Sequence, residues 1–91
     1  MKVYNWNADK NQELILGRDI SFEKAVFYIE HGGLLDDIVH PNQRIAIVRI
    51  ESYVYLVPYV ENENENEVFL KTIIPSRKFT KMYLGGSHEQ V

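Results

Sequence analysis

Cysteine is absent from the chain. Disulfides, thiolate metal sites and cysteine nucleophiles are therefore excluded, and packing must hold the fold. Long hydrophobic runs are absent too. Nowhere do the roughly 18 apolar residues needed for a membrane span follow one another. The opening MKVYNWNADKNQEL has no apolar segment of the kind that directs secretion. A cytoplasmic protein with no membrane association is expected. Also missing are the glycine patterns GxGxxG and GxxxxGK[ST], the nucleophile elbow GxSxG and the zinc motif HExxH. No serine and histidine are spaced as a nucleophile and its base. An enzyme made from this chain must work without thiol, cofactor or metal. RNA cleavage through the substrate's own 2′-hydroxyl meets that condition, because the protein need only orient the nucleophile, move protons and stabilise a charged phosphorane.

What the chain does have is enough apolar material for one core: 91 residues, 45% of them hydrophobic and 12% aromatic. That length supports a single domain. The net charge is −3, which argues at first against a nucleic-acid partner. Its distribution argues the other way. Glu61, Glu63, Glu65 and Glu67 crowd into one short run, and from Val68 to Leu84 there are Lys71, Arg77, Lys78 and Lys81 without a single acid. The local field of such a polarised chain outweighs its sum.

Val3 to Trp6 reads as a short strand. Asn7 caps a helix with Asp9 in its first turn, running to about Gly17. Ser21 caps a second helix, in which Phe22, Ala25, Val26 and Ile29 form an amphipathic stripe, and His31-Gly32-Gly33 ends it. LLDDIV, from Leu34, is expected to be a helical turn leading into the turn His40-Pro41-Asn42. Period-two alternation then predicts strands at RIAIVRI, YVYLVPYV and VFLKTII, with ENENENE as a polar turn. Tyr53, Tyr55, Val57 and Tyr59 share one strand face, and Pro58 demands an edge or a bulge. Pro75-Ser76 opens a last helix, with Arg77, Lys78 and Lys81 along one side and Phe79, Met82 and Tyr83 along another. The expected architecture is α+β: one domain over residues 1–84, an antiparallel meander packed against helices, with a mobile tail over 85–91.

Three constellations carry chemistry. The basic stripe of the last helix, fed by Lys71, suits phosphates, which arginine grips bidentately and lysine as a point charge. Its plainer reading is a solvated face. The tyrosine face suits base stacking, or simply a half-buried sheet. His31 and His40 bracket Asp36 and Asp37, but the spacing obeys no metal-site rule and the Gly pair breaks the helix, so no metal is expected.

Several segments resemble the BrnT-like toxins of type II toxin–antitoxin systems. Trp6-Asn7-Ala8-Asp9-Lys10 is similar to that family's W-D-x-x-K opening. Ile20-Ser21-Phe22-Glu23-Lys24-Ala25 resembles its G-[VI]-S-F-E-E-A helix entry, and Ile73-Ile74-Pro75-Ser76-Arg77-Lys78 its I-I-S-A-R-K segment. The likeness spans most of residues 3 to 84. It implies a compact fold of the RelE ribonuclease type, a translation-blocking endoribonuclease activity on mRNA, and a cognate antitoxin, of the ribbon-helix-helix DNA-binding kind. Lys10, Arg44, Arg77 and Lys78 match basic positions of the pattern. Two positions depart from it: Gly17-Arg18 stands where the family has Lys-His, and Thr72 where it often has Arg.

The expected mechanism is metal-independent. Arg44 and Arg77 clamp the scissile phosphate. Lys10 or Lys71 takes the 2′-hydroxyl proton, eased by neighbouring cations. Arg18 stabilises charge in place of the missing histidine, Lys78 and Lys81 hold the RNA backbone, and Tyr53 or Tyr83 stacks on a base. This mechanism requires Arg44 and Arg77 on the same side of the molecule. Two rivals stand beside it: a degenerate relative that only binds a protein partner, and an unrelated adaptor whose tyrosine strand pairs with a partner at the Pro58 edge.

Overall fold

A computed structural model describes residues 2–41 and 43–85. The elements run β1 (Val3–Trp6), α1 (Ala8–Arg18), α2 (Phe22–Tyr28), β2 (Leu34–His40), β3 (Gln43–Ile50), β4 (Tyr53–Asn62), β5 (Glu67–Leu70), β6 (Ile74–Pro75) and α3 (Arg77–Thr80). A short extension of α2 from Ile29 leaves helical geometry at His31 and Gly32, and a wider turn extends α3 over Lys81–Gly85. Apart from Gly85, the tail expected to be mobile lies outside the described residues.

Each helix starts where a side-chain oxygen can take an orphan amide. Asn7 accepts from the Lys10 N–H, Ser21 from the Lys24 N–H and Ser76 from the Phe79 N–H, at 2.9, 3.1 and 3.1 Å. Asp19, left-handed at φ 54°, closes α1. Gly32, left-handed at φ 98°, ends the extension of α2, and Gly33 after it meets a different constraint. A Cβ there would stand 2.7 Å from both the Arg49 and Tyr28 carbonyl oxygens, so β3 can pass only against glycine.

The fold is α+β, with a mixed sheet in the order β1-β5-β4-β3-β2 and β6 paired to β4 beyond β5. Strands β2 to β5 form an antiparallel meander, while β1 runs parallel to β5. On one face, Ala46, Val48 and Ile50 of β3 and Val57 and Tyr59 of β4 meet Leu14, Phe22 and Ala25 from the helices. Phe22 is fully buried and its ring stacks on Trp6 at 5.6 Å. Alternation sends Ile47 and Val54 to the opposite face. They are buried there as well, and α3, which packs on β4, closes that end. A Thr80 hydroxyl caps the Val54 N–H at 2.9 Å.

Three expectations are corrected. Leu34–His40 is a strand and no helical turn: β3 offers it a complete ladder partner, from Asp36 opposite Ile47 to His40 opposite Gln43, and that pairing overrides the local pattern. The segment VFLKTII is two strands. The β4–β5 register pairs Tyr59 with Leu70, and the β4–β6 register pairs Leu56 with Ile74. One extra residue therefore bulges between them over 71–73. Pro58, opposite that bulge, pairs with Ile45 on its other side. The bulge expected at this proline is therefore present in the facing strand and the free edge is not, which corrects the strand pairing that the adaptor reading placed there.

Candidate functional site

The bulge creates the site. A strand with one residue too many cannot offer every carbonyl to its neighbour. The Ile73 carbonyl instead accepts from Arg18 Nη1, 2.9 Å away at the end of α1. Between helix and bulge runs a groove of about 330 Å³. Lys10, Glu13, Gly17 and Arg18 form one wall, and Thr72 and Ile74 the other. Lys10 Nζ stands 3.8 Å from Glu13 Oε1. Both groups are exposed, so solvent screens the pair and the ammonium stays available to a stronger anion. Its ion-pair partner among the described residues is this carboxylate.

Folding thus collects Lys10, the Gly17-Arg18 step and Thr72, three places singled out by the family resemblance and drawn from both ends of the chain. Neither Lys71 nor Arg77 lines the groove, although each stands close in sequence to a residue that does. Lys71 is exposed beside Thr72 and opens the bulge, its N–H donating to the Pro58 carbonyl at 2.8 Å. Arg77, also exposed, is the first residue of α3 and follows closely on Ile74. Lys78 lies 5.8 Å over the Phe79 ring, and Lys81 is exposed on the turn that follows. Tyr83 packs near Phe79, with ring centroids 6.2 Å apart. Tyr53 stands edge-on to Tyr55 at 5.7 Å and is half-buried.

Arg44 is elsewhere. It pairs with Tyr59 in the β3–β4 ladder, while Ser76, the neighbour of Arg77, bonds the Val54 carbonyl near the other end of β4. Roughly 16 Å of strand separates those anchor points. The Arg44 guanidinium is bound to the Glu61 carboxylate, which also takes Lys2 Nζ at 2.6 Å. The clamp expected of Arg44 and Arg77 on one phosphate is therefore not formed, and Arg44 is not part of the groove.

Around Arg44 lies a second constellation. Leu34, Ala46, Val68 and Leu70 floor a small cup of about 90 Å³. At its wall the Tyr59 hydroxyl hydrogen-bonds the Asp37 carboxylate at 2.7 Å. Burial, reinforced by that carboxylate, pushes the Tyr59 phenol far above its ordinary range. Hydrogen bonding from Lys2 holds Glu61 below the usual carboxylate range. The alternation of β4 grouped Tyr59 with Val57 on one face, which the structure shows to be the core face. Asp37 was noted only between two histidines, because its segment was expected to be helical, and the β2–β3 register is what aims it at Tyr59.

His31 has a structural role: its ring stacks on Phe27 at 4.2 Å and its Nδ1 lies 2.7 Å from the Phe27 carbonyl. Among the described residues, no group of three or more histidine, aspartate and glutamate side chains is arranged to hold a metal ion. Nor, among them, is any helix long and apolar enough to cross a membrane. Compared with protein-family models, with curated proteins and with solved structures, the chain finds no match.

Proposed function

We propose that this protein is the toxin of a type II toxin–antitoxin pair, a metal-independent endoribonuclease that cuts mRNA in the groove between α1 and the β5–β6 bulge. The observation that carries the reading is the meeting of Lys10, Arg18 and Thr72 in one groove, at places where the resembled family keeps its functional side chains. A guanidinium has five N–H donors. Arg18 spends one on Ile73 and keeps the rest for a phosphate, its position fixed by the tether. Lys10 offers a second cation from the same helix. Lys71 and Arg77 extend the positive edge along the path of an RNA backbone, and Tyr83 beside Phe79 offers a base a surface to stack on.

The partner in this reading is an antitoxin encoded alongside, of ribbon-helix-helix type, whose acidic segment covers the groove. Induced expression in a bacterial host, with and without the neighbouring gene, tests both parts while RNA integrity is followed. Growth arrest with RNA loss, relieved by the neighbour, is expected. Arg77→Ala should abolish the arrest and Arg44→Ala should leave it. The opposite pattern would return the site to Arg44 and sink the groove.

A second reading has its own support. Gly17 and Thr72 remove two cations from the groove relative to the family pattern, and a site so reduced suits a module that engages its partner without cutting RNA. Purified protein incubated with RNA separates the two, since the binding module leaves the RNA intact.

A further inference from the structure

We propose that the cup walled by Tyr59 and Asp37 is an anchor pocket for one basic side chain, a lysine or arginine, of a protein partner. The proposal does not rest on the ribonuclease reading, for the cup and the groove share no residue.

The floor is apolar, built from Leu34, Ala46, Val68 and Leu70, and its volume of about 90 Å³ admits a single extended side chain. An aliphatic stem gains from such a floor while its charged head stays at the mouth. The mouth is acidic in effect. Lys2 and Arg44 are both spent on Glu61. Glu30, close enough to Tyr4 to perturb it, and Asp37 engage in no ion pair among the described residues, while Asp36, opposite Ile47, belongs to the other face. Tyr59 holds the Asp37 carboxylate in place by donating to it, so the acceptor is oriented before anything arrives. A nucleic acid or an acidic peptide meets repulsion here, while a cation with a methylene stem is matched at both ends. Leu34, where the apolar floor runs out to solvent, is 46% exposed, which suits an apolar neighbour in a peptide and offers nothing to a free small cation.

The test is an amide-resolved NMR titration of the full chain with acetyl-Leu-Arg-Val-amide, n-butylguanidinium and butyrate. The peptide should shift the Leu34, Asp37, Ala46 and Tyr59 amides and bind more tightly than n-butylguanidinium, with butyrate inert. Asp37→Asn should weaken the peptide about fivefold, the worth of a partly screened ion pair. Glu30→Gln, which leaves the Tyr59 contact intact, should also weaken it and guards against a folding artefact. Equal binding of peptide and n-butylguanidinium would mean a small-cation site and overturn the docking assignment. Indifference to both substitutions, or shifts scattered over the acidic surface, would overturn the pocket itself.

Discussion

Arg18 and Ile73, at the end of a helix and in the bulge of a distant strand, are joined by one guanidinium-to-carbonyl hydrogen bond of 2.9 Å. That bond fixes the width of the groove. Arg18→Ala should cost about 1 kcal/mol, a hydrogen bond from a charged donor partly screened by water, and should abolish RNA cleavage. Arg18→Lys keeps the charge but cannot both hold the carbonyl and face a phosphate, so it should fold nearly as well and cleave poorly. Thermal denaturation and a cleavage assay on the same preparations decide this. Full activity in the alanine variant would remove Arg18 from the site.

Thr72 offers a test by addition. It lines the groove opposite Lys10 and Arg18, where the resembled family often carries arginine. Thr72→Arg should raise the cleavage rate by about tenfold or more, the order of gain from one further cation at a developing phosphorane charge. An unchanged or lower rate in a folded variant counts against the groove as the place where RNA is cut.

Asn11 joins the two main helices. Its Oδ1 accepts the N–H of Phe22, the first residue of α2, at 2.8 Å, and its Nδ2 donates to Glu23 at 2.9 Å. Asn11→Ala strands a buried N–H and should cost about 1–3 kcal/mol in urea denaturation. Asn11→Asp keeps the acceptor for Phe22 but sets a carboxylate against that of Glu23, so it should rescue only part of the loss. Equal stability of all three proteins would show that the caps on α2 suffice without it.

The dependence of stability on pH should have two separable edges. Glu61 titrates below the ordinary carboxylate range because Lys2 and Arg44 hold its charged form. Its contribution is present above about pH 4.5 and disappears as acid protonates it in the folded state. Tyr59 titrates above the ordinary phenol range because it is buried beside Asp37. Its contribution is present below about pH 10 and is lost at higher pH, where the unfolded chain ionises freely. Tyr59→Phe should weaken the alkaline edge and leave the acid edge, whereas Glu61→Gln should flatten the acid edge and also weaken the alkaline side, because Glu61 holds the Lys2 ammonium above its ordinary range. Both are read from melting temperatures across the pH range.

The caps at Asn7, Ser21 and Ser76 were legible because they depend on residues within a turn of each other, as was the stripe of α2. The alternation of β3 and β4 was plain for the same local reason. Leu34–His40 was not, because two leucines followed by two aspartates alternate with nothing. Their conformation is decided by the ladder β3 supplies. The groove was half legible: motif resemblance marked Lys10, Arg18 and Thr72, and only the path of α1 along the bulge shows that they meet. Arg44 misled for the converse reason. Its basic character was visible in the sequence, and the Glu61 carboxylate that occupies it lies across a turn of register that no spacing rule gives. Asn11, an amide inside a helix of mixed polarity, carried no signal before its partners were in place.

The extra residue over 71–73 has a consequence for how this chain tolerates change in length. Removing any one of Lys71, Thr72 or Ile73 would put the tail end of the sheet back into phase with β5. Ile74 would still oppose Leu56, but the Ile73 carbonyl that now holds Arg18 would be drawn into the ladder, and the groove between α1 and the bulge would be lost. Single deletions there should therefore be far less welcome than deletions in the Glu63–Asn66 hairpin, where the chain turns in solvent. A selection of in-frame deletion libraries would recover the second kind and lose the first.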